Sequence, residues 1–256
     1  MHTLRVATAN LRCDMECDGI YAFPRRKNWM VSQLRTLDAD LYGFQEVQPH
    51  MQAYLADALP EYGFIGCGRQ GNLVGEAVPI AYRRARFVVT ELRHFWHSLQ
   101  PGAPGSTFGL DQSGCPRFCT VATLYHKATG KTVRLYNTHL DHEGKLARVL
   151  AAAQIRQDIS LHTDAHAVFV TGDFNDTPDS DCVAVMVQDG AMLDASADIG
   201  PSFHGYGSVE KPVKIDYVFT LASLPPIGSR LVSDRSPEGV YFSDHDIVTA
   251  EFKLCD

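Results

Sequence analysis

The run Ala167-Val168-Phe169-Val170-Thr171-Gly172-Asp173-Phe174-Asn175-Asp176 passes from an apolar stretch straight into Gly-Asp-x-Asn. A buried strand of this kind brings its polar side chains to its exit. Asp173 and Asn175 stand two positions apart. If the chain stays extended through Phe174, both point to one side, where a carboxylate and a carboxamide converge on one ligand. The same residues suit an ordinary Asx turn, because Gly172, Asn175, Asp176 and Pro178 are all turn formers. What decides between the two is how the other strands of the chain end.

They end alike. Leu4, Val6 and Thr8 alternate with Arg5, Ala7 and Ala9, and the run closes on Asn10. A short strand over 40–44 is followed at once by Gln45-Glu46. Strands over 118–125 and 132–136 flank Lys127-Ala128-Thr129-Gly130, a hairpin signal, and the second runs out into Asn137-Thr138-His139-Leu140-Asp141-His142. The apolar strand over 213–219 is interrupted by Asp216, and Ser243-Asp244-His245 precedes a last strand over 247–252. Further strands are expected over 62–67, 78–82 and 87–95, the second of these near a sheet edge because of Pro79. Helical patterns cover 25–37, 49–59, 143–161 and 179–187, the first with Trp29, Met30, Leu34 and Leu37 on one side. Strands outnumber helices and the helices are interspersed. This favours an α/β fold with a two-sheet core and outer helices over a doubly wound parallel sheet. With no linker and no repeat, 1–256 reads as a single domain.

Composition bounds the function. Hydrophobic residues make up 45% of 256, ample for a core. No run approaches the ~18 apolar residues of a membrane helix and Leu4 already begins a strand, so a cytoplasmic, membrane-free protein is the expectation. The cysteines, Cys13, Cys17, Cys67, Cys115, Cys119, Cys182 and Cys255, are odd in number and scattered, which favours reduced thiols over a disulfide framework or a zinc site. A net charge of −7 argues against a basic surface that tracks a nucleic-acid backbone. It leaves room for carboxylates gathered around a divalent cation. Residues 100–114, rich in Gly, Pro and Ser, are a candidate substrate-facing loop or, equally, a disordered surface loop.

The strand-end residues are Asn10, Glu46, His139, Asp173, Asn175, Asp216, Asp244 and His245. Oxygen-rich ligands of this kind suit Mg2+, Mn2+ or Ca2+, and Mg2+ needs only one or two carboxylates. Asp216 lies inside a hydrophobic strand, where an unpaired carboxylate is costly, so it requires a partner. Three further residues are candidate substrate contacts: Arg117 beside the long loop, His204 in Ser202-Phe203-His204-Gly205, and Glu76. His142 reads as a solvated residue at a helix start.

Six short motifs, Ala9-Asn10-Leu11, Gln45-Glu46-Val47, Asn137-Thr138-His139-Leu140, Gly172-Asp173-Phe174-Asn175, Ile215-Asp216-Tyr217 and Ser243-Asp244-His245, follow one another in order across nearly the whole chain. In that order and spacing they resemble the endonuclease/exonuclease/phosphatase superfamily. The resemblance implies a deoxyribonuclease I-like fold, a four-layered α/β/β/α sandwich with two central mixed β-sheets. It implies a Mg2+- or Mn2+-dependent phosphoric ester hydrolase, with Glu46 as principal metal ligand and Asn10 and Asp244 beside it. Asp173 would orient or deprotonate the attacking water, with Asn175 holding phosphate or nucleophile. His245, with its tautomer set by Asp216, and His139 would contact the phosphate. Within the superfamily the chain looks like the small bacterial metal-dependent hydrolases related to the deadenylase and nocturnin branch. The expected substrate is a small phosphorylated molecule acted on by a monomer. A nuclease cleaving RNA or DNA is the alternative, less favoured by the charge. A catalytically silent binding module is more remote, since every motif residue the chemistry needs is present.

Overall fold

The computed structural model describes residues 2–233 and 235–254, so Cys255 lies outside the described residues. In chain order its elements are β1 (His2–Asn10), α1 (Phe23–Leu37), β2 (Leu41–Gln45), α2 (Pro49–Ala58), β3 (Tyr62–Ile65), β4 (Ile80–Arg83), β5 (Phe87–Trp96) and β6 (Phe118–His126). There follow β7 (Lys131–His139), α3 (Lys145–Leu161), β8 (Ala167–Asp173), α4 (Asp181–Val187), β9 (Met192–Asp194), β10 (Asp216–Leu221), β11 (Gly228–Val232) and β12 (Ile247–Leu254). One six-stranded sheet has the order β11-β12-β1-β2-β4-β3 and the other β5-β6-β7-β8-β10-β9. Both are mixed: β1 and β2 are parallel, as are β7 and β8, and the remaining pairs are antiparallel.

Period-2 alternation sorts the strand residues into layers. Tyr42 and Phe44 of β2 face outward with Met30 and Leu34 of α1 and Met51 of α2. On the second sheet, Val168 and Val170 of β8 pack with Ile155 of α3 and Met186 of α4. Between the sheets lie Leu4, Val6, Leu41, Val133, Leu135, Phe169 and Val218. The result is the four-layered α/β/β/α sandwich. β4 lies next to the edge strand β3, with Pro79 just outside it. The short β9 and the half-exposed β11 carry too little apolar signal to stand out in the sequence.

Followed along each strand, the inner face changes character. β1 presents Leu4, Val6, Thr8 and Asn10 in turn; β7 presents Val133, Leu135, Asn137 and His139; β8 presents Ala167, Phe169, Thr171 and Asp173. The dry core gives way to a buried polar layer and then to the site. Asn137 holds that layer together. Its amide nitrogen donates to the carbonyls of Phe44 (2.8 Å) and Pro79 (3.0 Å), across in the other sheet's layer. Its oxygen accepts from Gln45 Nε2 (2.7 Å) and Thr171 Oγ1 (3.1 Å). Gly43 makes room for this: a Cβ there would stand 2.1 Å from Thr171 Oγ1 and 2.3 Å from Asn137 Oδ1.

The loop over 100–114 is tied down within the fold. Asp111 accepts hydrogen bonds from the Leu146 and Ala147 N–H groups in the first turn of α3, and Ser113 bonds to Asp141. Cys13, Cys17, Cys67, Cys115, Cys119 and Cys182 are free thiols, as expected of a chain without a disulfide framework. Gly43→Ala is expected to overpack the polar layer and lower stability by about 1–3 kcal/mol. A denaturant midpoint equal to wild type would contradict the role given to Gly43.

Candidate active site

Parallel pairing aligns the strand ends. Asn10 pairs with Gln45 and His139 with Asp173, while antiparallel pairing sets Asp216, at the start of β10, beside Asp173. The chain entering β12 supplies Asp244 and His245. A cleft of about 430 Å³ opens over these ends, lined by Glu46, His139, Asp173, Asn175, Asp244 and His245 together with Arg12, Arg69, Glu76 and Arg117. An apolar groove of about 520 Å³ along α2 holds none of the strand-end residues.

Arg26 fixes the floor on the β1 side. Fully buried in α1, its guanidinium donates to the carbonyls of Leu11, Arg12, Tyr21 and Phe242, pinning the chain leaving β1 to the chain approaching β12. Burial lowers its pKa, and carbonyl oxygens take the place of water around its charge.

Three residues lining the cleft have left-handed backbones: Arg12 (φ 50°), Glu46 (φ 59°) and Asn175 (φ 50°). Each conformation costs on the order of 1–3 kcal/mol and persists only when its surroundings hold it. Glu46 Oε2 accepts from the Cys13 N–H (2.9 Å) and Oε1 from Asn10 Nδ2 (3.0 Å). Burial works against its charge. These hydrogen bonds and the field of His245 outweigh it and keep the carboxyl below its ordinary pKa. The strand ends at Asp173 instead of continuing extended. The Asn175 N–H returns to Asp173 Oδ1 (2.9 Å), so the Asx turn and the convergence of the two side chains are both present. Phe174, buried in the outer core, anchors the bend.

Asn10 links the halves of the site, since Nδ2 also donates to Asp173 Oδ2 (3.0 Å) while its Oδ1 accepts the Arg12 N–H (2.9 Å). Asp216 has the partner its burial demands. Its Oδ2 meets His245 Nδ1 at 2.8 Å and accepts from Ser202 Oγ at 2.7 Å. Burial opposes charge on His245, but the field of Asp216, this hydrogen bond and the fields of Asp173 and Asp244 hold its pKa well above the ordinary value. Asp173 shifts upward through burial and then through Asp216. Asp244 also shifts upward, through burial and through Glu46. His139 is pushed well below its ordinary pKa by burial, Arg117 and Arg69, and its Nε2 lies 3.0 Å from Asn175 Nδ2, which also donates to the Leu140 carbonyl. Asp173, Asp216 and His245 bring three ligand atoms within 4.8 Å of one another, a possible metal site.

The other candidates separate. Arg117 lines the cleft. Glu76 does too, paired with Arg69 Nη2 at 2.9 Å. His204 is not among the lining residues; it stacks on Tyr241 (centroids 4.4 Å apart) and lies 3.3 Å from Asp246. No residue of 100–114 lines the cleft, in contrast to the expectation for that loop, because its polar groups are spent on α3 and on Asp141. Arg12, Arg26 and Arg69 have no local sequence signal; only their long-range partners give them a role.

A family model described as Endonuclease/Exonuclease/phosphatase family matches residues 7–245. The chain belongs to the endonuclease/exonuclease/phosphatase family. A Bacteroides vulgatus endonuclease/exonuclease/phosphatase structure is 31% identical with TM-score 0.92, covering 100% of both chains. A Bacteroides thetaiotaomicron mannosyl-6-phosphatase is 28% identical with TM-score 0.89, covering 98% of this chain and 100% of its own. D. rerio TDP2, solved with a single-strand DNA product, is 17% identical with TM-score 0.79 over 99% and 100%, a likeness of fold. These matches identify the sandwich as the deoxyribonuclease I-like fold of the family. Among curated proteins none matches the chain by sequence. No helix of the described residues is long and apolar enough to cross a membrane.

In this family member the charge on His245 depends foremost on Asp216. Asp216→Asn is expected to lower the His245 pKa, because it removes the facing negative charge and its hydrogen bond to Nδ1. An NMR titration of the His245 ring that is unchanged in the variant would contradict the pairing.

Proposed function

We propose that this chain is a Mg2+- or Mn2+-dependent phosphoester hydrolase that cleaves small phosphorylated molecules, phosphorylated sugars foremost, by in-line attack of an activated water. One observation carries the reading: a single cleft gathers the carboxylates of Glu46 and Asp244 together with Asp173 and an Asp216-held His245. The whole-length likeness to a mannosyl-6-phosphatase supports the choice of a sugar phosphate. The net charge of −7 weighs against a nuclease.

The donor chemistry fits a hard divalent cation. Glu46 and Asp244 would hold it: both offer carboxylate oxygens in the same cleft, and the field of Glu46 disfavours charge on Asp244, a repulsion that a cation relieves. Asn10 keeps Glu46 and Asp173 at a set separation through its amide nitrogen. The trio Asp173, Asp216 and His245 suits the cation less well, because His245, engaged through Nδ1 with Asp216 Oδ2 at 2.8 Å, is biased toward its own positive charge, although Asp216 Oδ1 is buried without a partner. When bound, the cation offsets charge on the phosphoryl oxygens and the leaving group.

The chain's own groups do the rest. Asp173, whose upward-shifted pKa suits a base working near neutral pH, takes the proton of the attacking water. Asn175, fixed by its turn, holds the phosphate or the nucleophile. His245 donates a hydrogen bond to a phosphoryl oxygen, its charge secured by Asp216. His139, kept uncharged, provides a second contact to the phosphate.

Hydrolysis of a sugar phosphate or an aryl phosphodiester is expected with Mg2+ or Mn2+ and to disappear with chelator; equal rates in both would rule out the metal mechanism. Glu46→Ala should raise the metal concentration required. Asp173→Ala should lower kcat by roughly 10² or more, the scale of a lost general base, and near-normal kcat would refute its role.

A further inference from the structure

We infer that Arg69 and Arg117 form an anion subsite in the cleft wall beside Glu46 and His139. The subsite reads the second negative charge of a phosphate monoester, so dianionic monoesters are preferred over diesters. The inference rests on the cleft being the phosphoester site proposed above.

Arg117 is a buried cation with spare donors. Its side chain is 6% exposed, its Nη2 donates to His142 Nδ1 at 2.9 Å, and its Nε has no hydrogen-bond partner. The carboxylate near it, Asp141, stands 3.7 Å away and is committed elsewhere. Asp141 Oδ1 accepts the N–H groups of Ser113, Glu143 and Gly144, and Oδ2 accepts Ser113 Oγ. A guanidinium has five N–H donors, so Arg117 faces the cleft with most of its capacity unspent.

Arg69 adds a second charge to the same wall. Both arginines border a small recess with Glu46, Glu76 and His139. Arg69 Nη2 donates to Glu76 Oε1 (2.9 Å) and lies 3.6 Å from Cys115 Sγ, while its Nε is buried without a partner. Its backbone is locked, with its N–H bonded to the Glu76 carbonyl (3.0 Å) and its own carbonyl accepting Trp96 Nε1 (2.8 Å). Glu76 on this wall engages Arg69, and Glu46 on the same recess would be taken up by the cation, so neither bonds the buried Nε of Arg117. A buried guanidinium N–H without an acceptor is costly until one, such as a phosphate oxygen, enters.

The match is to a monoester. With His245 and the metal side taking two phosphoryl oxygens, a monoester still presents a third oxygen and a second charge, for which the arginine fork is shaped. A diester carries an ester group there.

The test is calorimetric titration of the full chain, in chelator, with inorganic phosphate and with dimethyl phosphate. Inorganic phosphate is expected to bind at least about tenfold more tightly, a difference of 1.4 kcal/mol. Arg117→Met and Arg69→Met should each erase that preference, and Arg117→Lys, a point charge without the fork, should restore part of it. Thermal unfolding checks that each variant is folded, and Arg69→Met, in a surface loop, serves if Arg117→Met is not. Absence of phosphate binding, equal binding of the two anions, or a preference unchanged in folded variants overturns the inference. Binding with the expected preference but no hydrolysis of any phosphoester would support the subsite and overturn the hydrolase reading.

Discussion

The rest of the site depends on the four hydrogen bonds of the Asn137 amide. Buried between the sheets, it ties the Phe44 and Pro79 carbonyls and the Gln45 side chain to Thr171 of the opposite sheet. Apolar contacts alone would let two sheets slide over one another at small cost, because hydrophobic attraction has no direction. A polar layer does not: each group left without a partner there costs about 1–3 kcal/mol. The layer sits one strand step below the cleft. Gln45 precedes Glu46, Asn137 lies two residues before His139, and Thr171 two before Asp173. Fixing the layer therefore fixes the separation between carboxylate and histidine groups carried by different sheets.

Above that layer, electrostatics decides the protonation states. Asp216 is fully buried, and an uncompensated carboxylate there would cost several kcal/mol; the short contact with His245 turns this cost into a held imidazolium. The same charge pair leaves Asp173 beside both an anion and a cation, and burial with Asp216 prevails in raising its proton affinity. Across the cleft, Glu46 is kept ionised by the Cys13 N–H and the Asn10 amide. With His245 biased toward its charged form, His139 toward its neutral form, Asp173 toward holding a proton and Glu46 toward ionisation, the cleft has the division of labour that the proposed hydrolysis calls for.

Much of this was legible in the residue order because the signals are local. Alternation in Leu4, Val6, Thr8 and Asn10 marks both the strand and the polar residue at its exit, and the hydrophobic setting of Asp216 demands a partner before any partner is seen. The parts that escaped depend on distance along the chain. Arg26 reads as one more charge on an amphipathic helix, yet it is fully buried and holds carbonyls from 5 to 216 positions away. Arg69 reads as a loop residue and proves to share the wall of the site. His204, in a loop rich in polar residues, resembles a substrate contact, but stacking on Tyr241 takes it out of the cleft lining. The bend at Asn175 shows the limit of a periodicity argument: the Asx turn brings Asp173 and Asn175 together by leaving the extended conformation, at φ 50°.

The most direct measurement is a crystal structure with Mn2+ and inorganic phosphate, using anomalous scattering to locate the ion. An anomalous peak is expected in contact with carboxylate oxygens of Glu46 and Asp244, with the phosphate lying between it and His245 and the His245–Asp216 hydrogen bond intact. A peak held by Asp173, Asp216 and His245, with Glu46 uncoordinated, would contradict this assignment.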